Sequence, residues 1–182
     1  MERVKIDTAS LTLCFIDYPL EKNYFVRTLQ ENIRVVTFYE AASIFNNANI
    51  DLKNYVLLNL CRAVTLFWLG NRSLNTSGVF HHETRGCIFD MCGLKADIVI
   101  SAANPWICEK CTSKIQDAVT PLDFLKNLKR ELRSIKKSLY YRVSDWVKKH
   151  PVLSLTLAAL ASIFLGLVSS GLYDLLKGLL AR

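Results

Sequence analysis

The patterned part of the chain begins at residues 11–18, LTLCFIDY, where β-branched and aromatic residues mix with aliphatic ones and Pro19 follows. This predicts a strand closed by a turn. Residues 32–39, NIRVVTFY, have the same character and predict a second strand; between the two, Tyr24 and Phe25 are expected to pack under the sheet. Residues 40–46 predict a short helix stopped by the Asn46-Asn47 pair, and Asp51 is placed to cap a longer one over residues 52–69 that ends at Gly70. That helix is apolar on most sides, but Asn59 and Arg62 interrupt it, and its apolar run falls short of the ~20 residues a bilayer requires. A central core helix is the expectation. Residues 96–102, ADIVISA, read as a further strand.

The period changes after residue 122. Leu125, Leu128, Leu132, Ile135, Leu139, Val143 and Trp146 recur at spacings of three and four, which predicts one amphipathic helix over 123–149. Asp123 stands at its start and Lys148-Lys149 at its end, as the helix dipole favours. Residues 152–173, VLSLTLAALASIFLGLVSSGLY, then run without a charge. A helix of that length measures roughly 33 Å against a ~30 Å hydrocarbon core, so this is the expected transmembrane span. Pro151 suits its first turn; Tyr140, Tyr141 and Trp146 on one side and Tyr173 on the other suit the two interfaces.

Charge sharpens that division. The formal net charge is +7, with a pI of 9.2. Residues 1–122 are balanced, whereas 123–149 hold nine Lys and Arg against three Asp and Glu, and only Lys177 and Arg182 lie beyond the apolar span. A basic block abutting such a span meets anionic lipid headgroups, which argues against nucleic acid as the partner. By the positive-inside rule the body before the span is cytoplasmic. Its first residues, with Glu2 and Asp7 and no small-residue cleavage site, do not read as a leader peptide. Along the span Ser154, Ala158, Ser162, Gly166 and Ser170 recur at every fourth position, a pattern that lets helices approach closely and predicts a homo-oligomer.

Of the six cysteines, Cys14 and Cys61 stand alone in apolar runs and read as core thiols. The other four form two close pairs within residues 81–115: Cys87-x4-Cys92, then Cys108-x2-Cys111. In a reducing cytoplasm paired cysteines speak for metal rather than disulfides. Four thiolates in two chelating knuckles complete a tetrahedral structural zinc site with no open position. A second assembly also fits in outline. The zinc deaminase pattern wants His-x-Glu, then a strand, then Pro-Cys-x-x-Cys; His81, Glu83, Cys108 and Cys111 approach it. Against it, Pro105 is not adjacent to Cys108, Thr84-Arg85-Gly86 does not continue a helix, and Cys87 and Cys92 are left without a role. A redox role for Cys108 and Cys111 is disfavoured by Glu109 beside them.

The segment HHETRGCIFDMCG with its downstream ICEKC resembles the cysteine tail of archaemetzincin-type zinc proteases. It is also similar to small bacterial proteins that keep this tail without the catalytic helix. The resemblance covers about residues 80–115. A full protease would show His-Glu-x-x-His, whereas here His82-Glu83 is followed by Thr84, Arg85 and Gly86, so the second histidine is missing. The resemblance therefore implies a structural zinc on the four cysteines and no protease activity.

The sequence reading is thus an α+β protein of three parts: a cytoplasmic zinc-stapled domain over 1–122 (zinc module 81–115), a basic amphipathic helix over 123–149, and a transmembrane segment over 150–182. It points to a non-enzymatic, single-pass module that receives a signal or binds an unidentified cytoplasmic protein or ligand at a lipid bilayer. The resemblance to membrane-tethered bacterial proteins implies the bacterial inner membrane and an oligomerising effector of antiviral defence.

Overall fold

The computed structural model describes residues 11–180 other than Ser77, Glu83 and Val119, with backbone alone for 172–176 and 178–180. The fold is mixed α+β, and the chain divides into two compact units, Met1–Ser138 and Leu139–Arg182.

The first unit is built on a three-stranded sheet. The strands β1 (Thr12–Ile16), β2 (Val26–Gln30) and β3 (Ile33–Thr37) lie in the order β1-β3-β2, with β1 parallel and β2 antiparallel to β3. The two expected strands are β1 and β3. The middle strand in sequence, β2, came from the stretch read as a connection, because VRTLQ lacks the apolar alternation that marks a half-buried strand. Tyr24 does not lie under the sheet. It is half exposed, with the Arg27 guanidinium 4.0 Å above its ring, while Phe25 faces the core against Tyr55.

Helix α1 (Ala41–Asn47) leads to α2 (Leu52–Leu69), the element against which the rest of the unit packs. Tyr55, Leu58 and Leu66 of α2 are fully buried, Tyr55 among the rings of Phe25, Phe38 and Phe45. Its polar residues are buried too and make specific bonds: the Tyr55 hydroxyl donates to Thr37 O at 2.9 Å, Asn54 Nδ2 to Ala102 O at 3.0 Å, and Arg62 Nε to Ile88 O. These bonds tie sheet, helix and the cysteine-bearing segment together. Asp51 holds the N-cap position, without a side-chain capping bond.

Two expectations are corrected. Residues 96–102 are not a strand: a single turn of 3-10 helix at Lys95–Asp97 leads into α3 (Ile98–Ala103). Ile98, Ser101 and Ala102 are buried at spacings of three and four, so the run presents one helical face to α2, a choice that a short apolar run cannot announce by periodicity. The basic stretch 123–149 is not one helix but two. After α4 (Glu109–Asp117) comes α5 (Phe124–Ser134), and residues 135–138 then leave helical geometry. Ile135 is the cause: with extended backbone it turns its side chain into the core beside Leu128 and Leu132, at 1% exposure. The apolar stripe therefore serves two units, with Leu128, Leu132 and Ile135 buried and Leu125 partly buried in one, and Leu139, Val143 and Trp146 exposed on α6 (Leu139–Lys149) of the other.

Helix α7 (Pro151–Leu180) follows α6 in the second unit and begins at the expected proline. Its segment Pro151–Gly171 has a mean hydropathy of 2.2, is unburied, and is long and apolar enough to cross a membrane.

Candidate metal centre

The segment after α2 is positioned by backbone hydrogen bonds together with the Arg62 bond to Ile88 O and the burial of Ile88 and Phe89. His81 pairs with Asp90 across a bridge: His81 N donates to Phe89 O at 3.1 Å and Met91 N to His81 O at 3.0 Å. Inside that loop the chain reverses at Gly86, whose φ of +87° lies in the left-handed region that glycine adopts without steric cost. A second bridge joins Cys87 to Trp106; Ile88 N donates to Trp106 O at 2.9 Å and Trp106 N to Gly86 O at 3.1 Å. This bridge places Cys87 beside the chain that enters α4. Cys108 is the N-cap of α4 and Cys111 stands in its first turn, so the two share one face.

The result is a cluster of four donors, His81, Cys87, Cys108 and Cys111, whose ligand atoms all lie within 4.8 Å of one another. His81 Nε2 is 3.2 Å from Cys111 Sγ and 3.5 Å from Cys108 Sγ, and the sulfurs of Cys87 and Cys111 are 3.9 Å apart. Cys87, Cys108 and Cys111 are buried and His81 is half-buried. One imidazole and three sulfurs gathered at this separation can hold a metal ion.

The electrostatics of the thiols follow from their places. Burial pushes the Cys87 thiol up. Cys108 is lowered: burial opposes ionisation, but donors from the Cys111 and Lys110 backbone and the Cys111 and Cys87 thiols outweigh it. Cys111 is pushed up, by burial first and then by the neighbouring Cys108 and Cys87. Cys108 at the positive end of α4 has its thiolate favoured by the donors around it. A cation in their midst would stabilise all three in that form.

The structure brings together three of the four expected cysteines and puts His81 where Cys92 was expected. The reason is local. At Cys92 the backbone adopts φ +47°, its N–H donates to Asp90 Oδ1 at 3.3 Å, and its sulfur lies 4.0 Å from Ser101 Oγ and faces Arg62. The Cys87–Cys92 pair thus does not converge; the two donors that the cluster takes from that side are His81 and Cys87, five residues between them. That spacing was the available signal, but it was obscured because the two cysteine pairs already made a complete set. Of the residues a deaminase would use, His81, Cys108 and Cys111 are in the cluster with Cys87 as a fourth donor, and Glu83 lies outside the described residues. The neighbouring His82 is exposed.

Comparison of the chain with family models, with curated proteins and with solved structures finds no match.

Proposed function

We propose that the protein is a membrane-anchored, non-catalytic module whose cytoplasmic head is stapled by a structural zinc ion on His81, Cys87, Cys108 and Cys111. The observation that carries this reading is the closed donor set. Thiolates and an imidazole bound to one tetrahedral zinc stand ~3.8 Å apart sulfur to sulfur and ~3.6 Å sulfur to nitrogen, given Zn–S near 2.3 Å and Zn–N near 2.1 Å. The separations of 3.9 and 3.5 Å match that geometry, and the 3.2 Å between His81 and Cys111 is shorter than it. Four protein donors leave no position for the water that a hydrolase must activate. The staple joins the loop after α2 to the start of α4. The likeness of residues 80–115 to an archaemetzincin tail without its catalytic helix points the same way.

The anchor in this reading is Pro151–Gly171 of α7 in a lipid bilayer, the bacterial inner membrane by the same likeness. Helix α6, with Tyr140, Val143 and Trp146 exposed and Arg142, Lys148 and Lys149 on the same element, has the make-up of a segment that lies at the headgroup level. The hydroxyls of Ser154 and Ser162 donate to Pro151 O and Ala158 O within α7, at 2.8 and 2.9 Å. With Ala158, Gly166 and Ser170 they leave a smooth stripe along which copies of the helix can pack. Assembly through that stripe makes the span an effector that disrupts the membrane; without assembly it is an anchor only.

The test is expression of the full-length protein in bacteria, with zinc content and membrane potential followed together. One zinc per chain and a potential that falls on induction are expected of the effector; an unchanged potential would leave the anchor alone. Convergence of His81, Cys108 and Cys111 keeps the deaminase reading in view. Glu83→Gln separates the two, since it silences a deaminase and leaves a structural zinc protein unchanged.

A further inference from the structure

Beside the metal centre the first unit holds a cavity of about 270 Å³ into which three arginines from three elements converge: Arg27 of β2, Arg34 of β3 and Arg62 of α2. Arg34 and Arg62 are buried, at 7% and 5% exposure. Nε of Arg27, Nε of Arg34 and Nη2 of Arg62 are each buried without a hydrogen-bond partner, and so is Oδ2 of Asp90, the one carboxylate among the described lining residues. A buried guanidinium is stable when its donors and charge are matched, so the two of Arg34 and Arg62, with half-buried Arg27 held beside them by Tyr24 and by its bond to Glu21 O, mark a place built for an anion. Burial, and next the charge of Arg62, bring Arg34 down to about 10. The two cations thus repel one another.

Charge and shape narrow the class of anion. Among the described lining residues, three guanidinium groups against one carboxylate leave a surplus of two positive charges, which matches the −1.5 to −2 carried by a phosphate monoester at neutral pH. The planar forks of arginine suit the paired oxygens of phosphate. The rest of the lining is apolar and aromatic, with Phe25, Phe80 and Ile98, and a bare inorganic ion would leave it unfilled. Drug-sized pockets run ~300–1,000 Å³, so the ligand is smaller than these.

We propose that this cavity is a recognition site for a compact organic phosphate, with its phosphate on Arg27, Arg34 and Arg62 and its apolar body against Phe25 and Phe80. The proposal gives the head domain its ligand class and rests on the signal-receiving reading above for its consequence, while binding itself does not depend on that reading. Cys92 fits this account: it lines the cavity beside Arg62 and Asp90 and is not needed by the metal. The Asp90–Cys92 turn, whose flank at Met91 donates to His81 O, physically links the phosphate cavity to the metal cluster.

The experiment is calorimetric titration of the full-length, zinc-loaded protein in detergent micelles with phenyl phosphate, inorganic phosphate and benzoate at matched ionic strength, with zinc assayed in every sample. Saturable binding is expected, strongest for phenyl phosphate and weakest for benzoate, and at least tenfold weaker in Arg34→Gln. Because Arg34 is buried and its variant can misfold, the half-buried Arg27→Gln is the second variant, with the same tenfold loss expected and unchanged thermal midpoint. Phenyl phosphate binding no better than benzoate, or wild-type binding in a folded Arg27→Gln, would overturn the proposal. Zinc retained without phosphate binding sinks this site alone; phosphate bound without zinc sinks only the metal reading.

Discussion

His81 and Cys111 are thirty residues apart in the chain and meet with 3.2 Å between Nε2 and Sγ. Their meeting depends on two bridges, His81 with Asp90 and Cys87 with Trp106, and on the helix that starts at Cys108. The cluster is therefore a product of backbone pairing as much as of ligand chemistry.

If His81 rather than Cys92 completes the donor set, the two substitutions separate cleanly. Cys92→Ser should keep one zinc per chain by metal analysis, whereas His81→Ala and Cys111→Ser should each weaken zinc binding by more than ~100-fold, beyond what loss of an outer partner costs. Removing the metal from the wild type with a chelator should lower the thermal midpoint of the head domain, since binding energy at such a site is folding energy. Zinc lost from Cys92→Ser and kept in His81→Ala would restore the four-cysteine set.

Gly86→Val tests the turn that carries Cys87. A Cβ at this position meets Trp106 Nε1 at 2.9 Å, and φ +87° is unfavourable for any branched residue. The backbone strain alone costs ~1–3 kcal/mol. Thermal unfolding should show that loss together with weaker zinc retention, because the Cys87–Trp106 bridge must shift. A Gly86→Val protein as stable as the wild type would refute this account of the turn.

Cys61 of α2 supplies a pH dependence that does not involve the metal. Burial, and next the charge of Glu131, push its thiol from the ordinary 9.0 to about 11. Below pH 9 the thiol is protonated in folded and unfolded chains alike, so its contribution is intact. Between pH 9 and 11 the unfolded chain releases the proton and the folded one does not, so stability falls as pH rises. The drop in thermal midpoint from pH 8 to pH 10.5 should be smaller in Cys61→Ala than in the wild type; equal drops would show that Cys61 is not the group responsible.

For the span, Leu160→Arg places a charge near the middle of Pro151–Gly171. A charge there costs ~2.5–3.5 kcal/mol in membrane insertion. Cell fractionation should move the variant out of the carbonate-resistant membrane pellet, and an undiminished pellet would argue that this helix does not span.

Self-association along α7 predicts that Gly166→Leu reduces cross-linked dimer in micelles severalfold, since a bulky side chain would hold the backbones apart where Gly166 now has open space. Leu165→Ala, off the stripe, should leave cross-linking unchanged. Equal yields in both variants would assign the contact to another face.

Much of this architecture was legible in the residues. The β1 and β3 strands, the bounds of α2 with Gly70 at its end, and the apolar helix from Pro151 follow from local pattern, because each is long or strongly periodic enough for its own residues to decide its form. So does the presence of soft metal ligands in residues 81–115. Short or ambiguous elements were not legible. Helix α3 takes its form from packing against α2, β2 from pairing with β3, and the break after α5 from burial of Ile135, each decided by partners outside the element's own residues.

The sequence by itself determined which chemistry is available: two pairs of cysteines with histidines beside them for a cation, scattered arginines, and an apolar run long enough for lipid. Only the tertiary structure decided the groupings. It set His81 in place of Cys92, because a backbone bridge and a left-handed turn fix where each side chain can reach. It also gathered Arg27, Arg34 and Arg62 around one cavity, because sheet register and helix packing, rather than spacing along the chain, determine which charges meet.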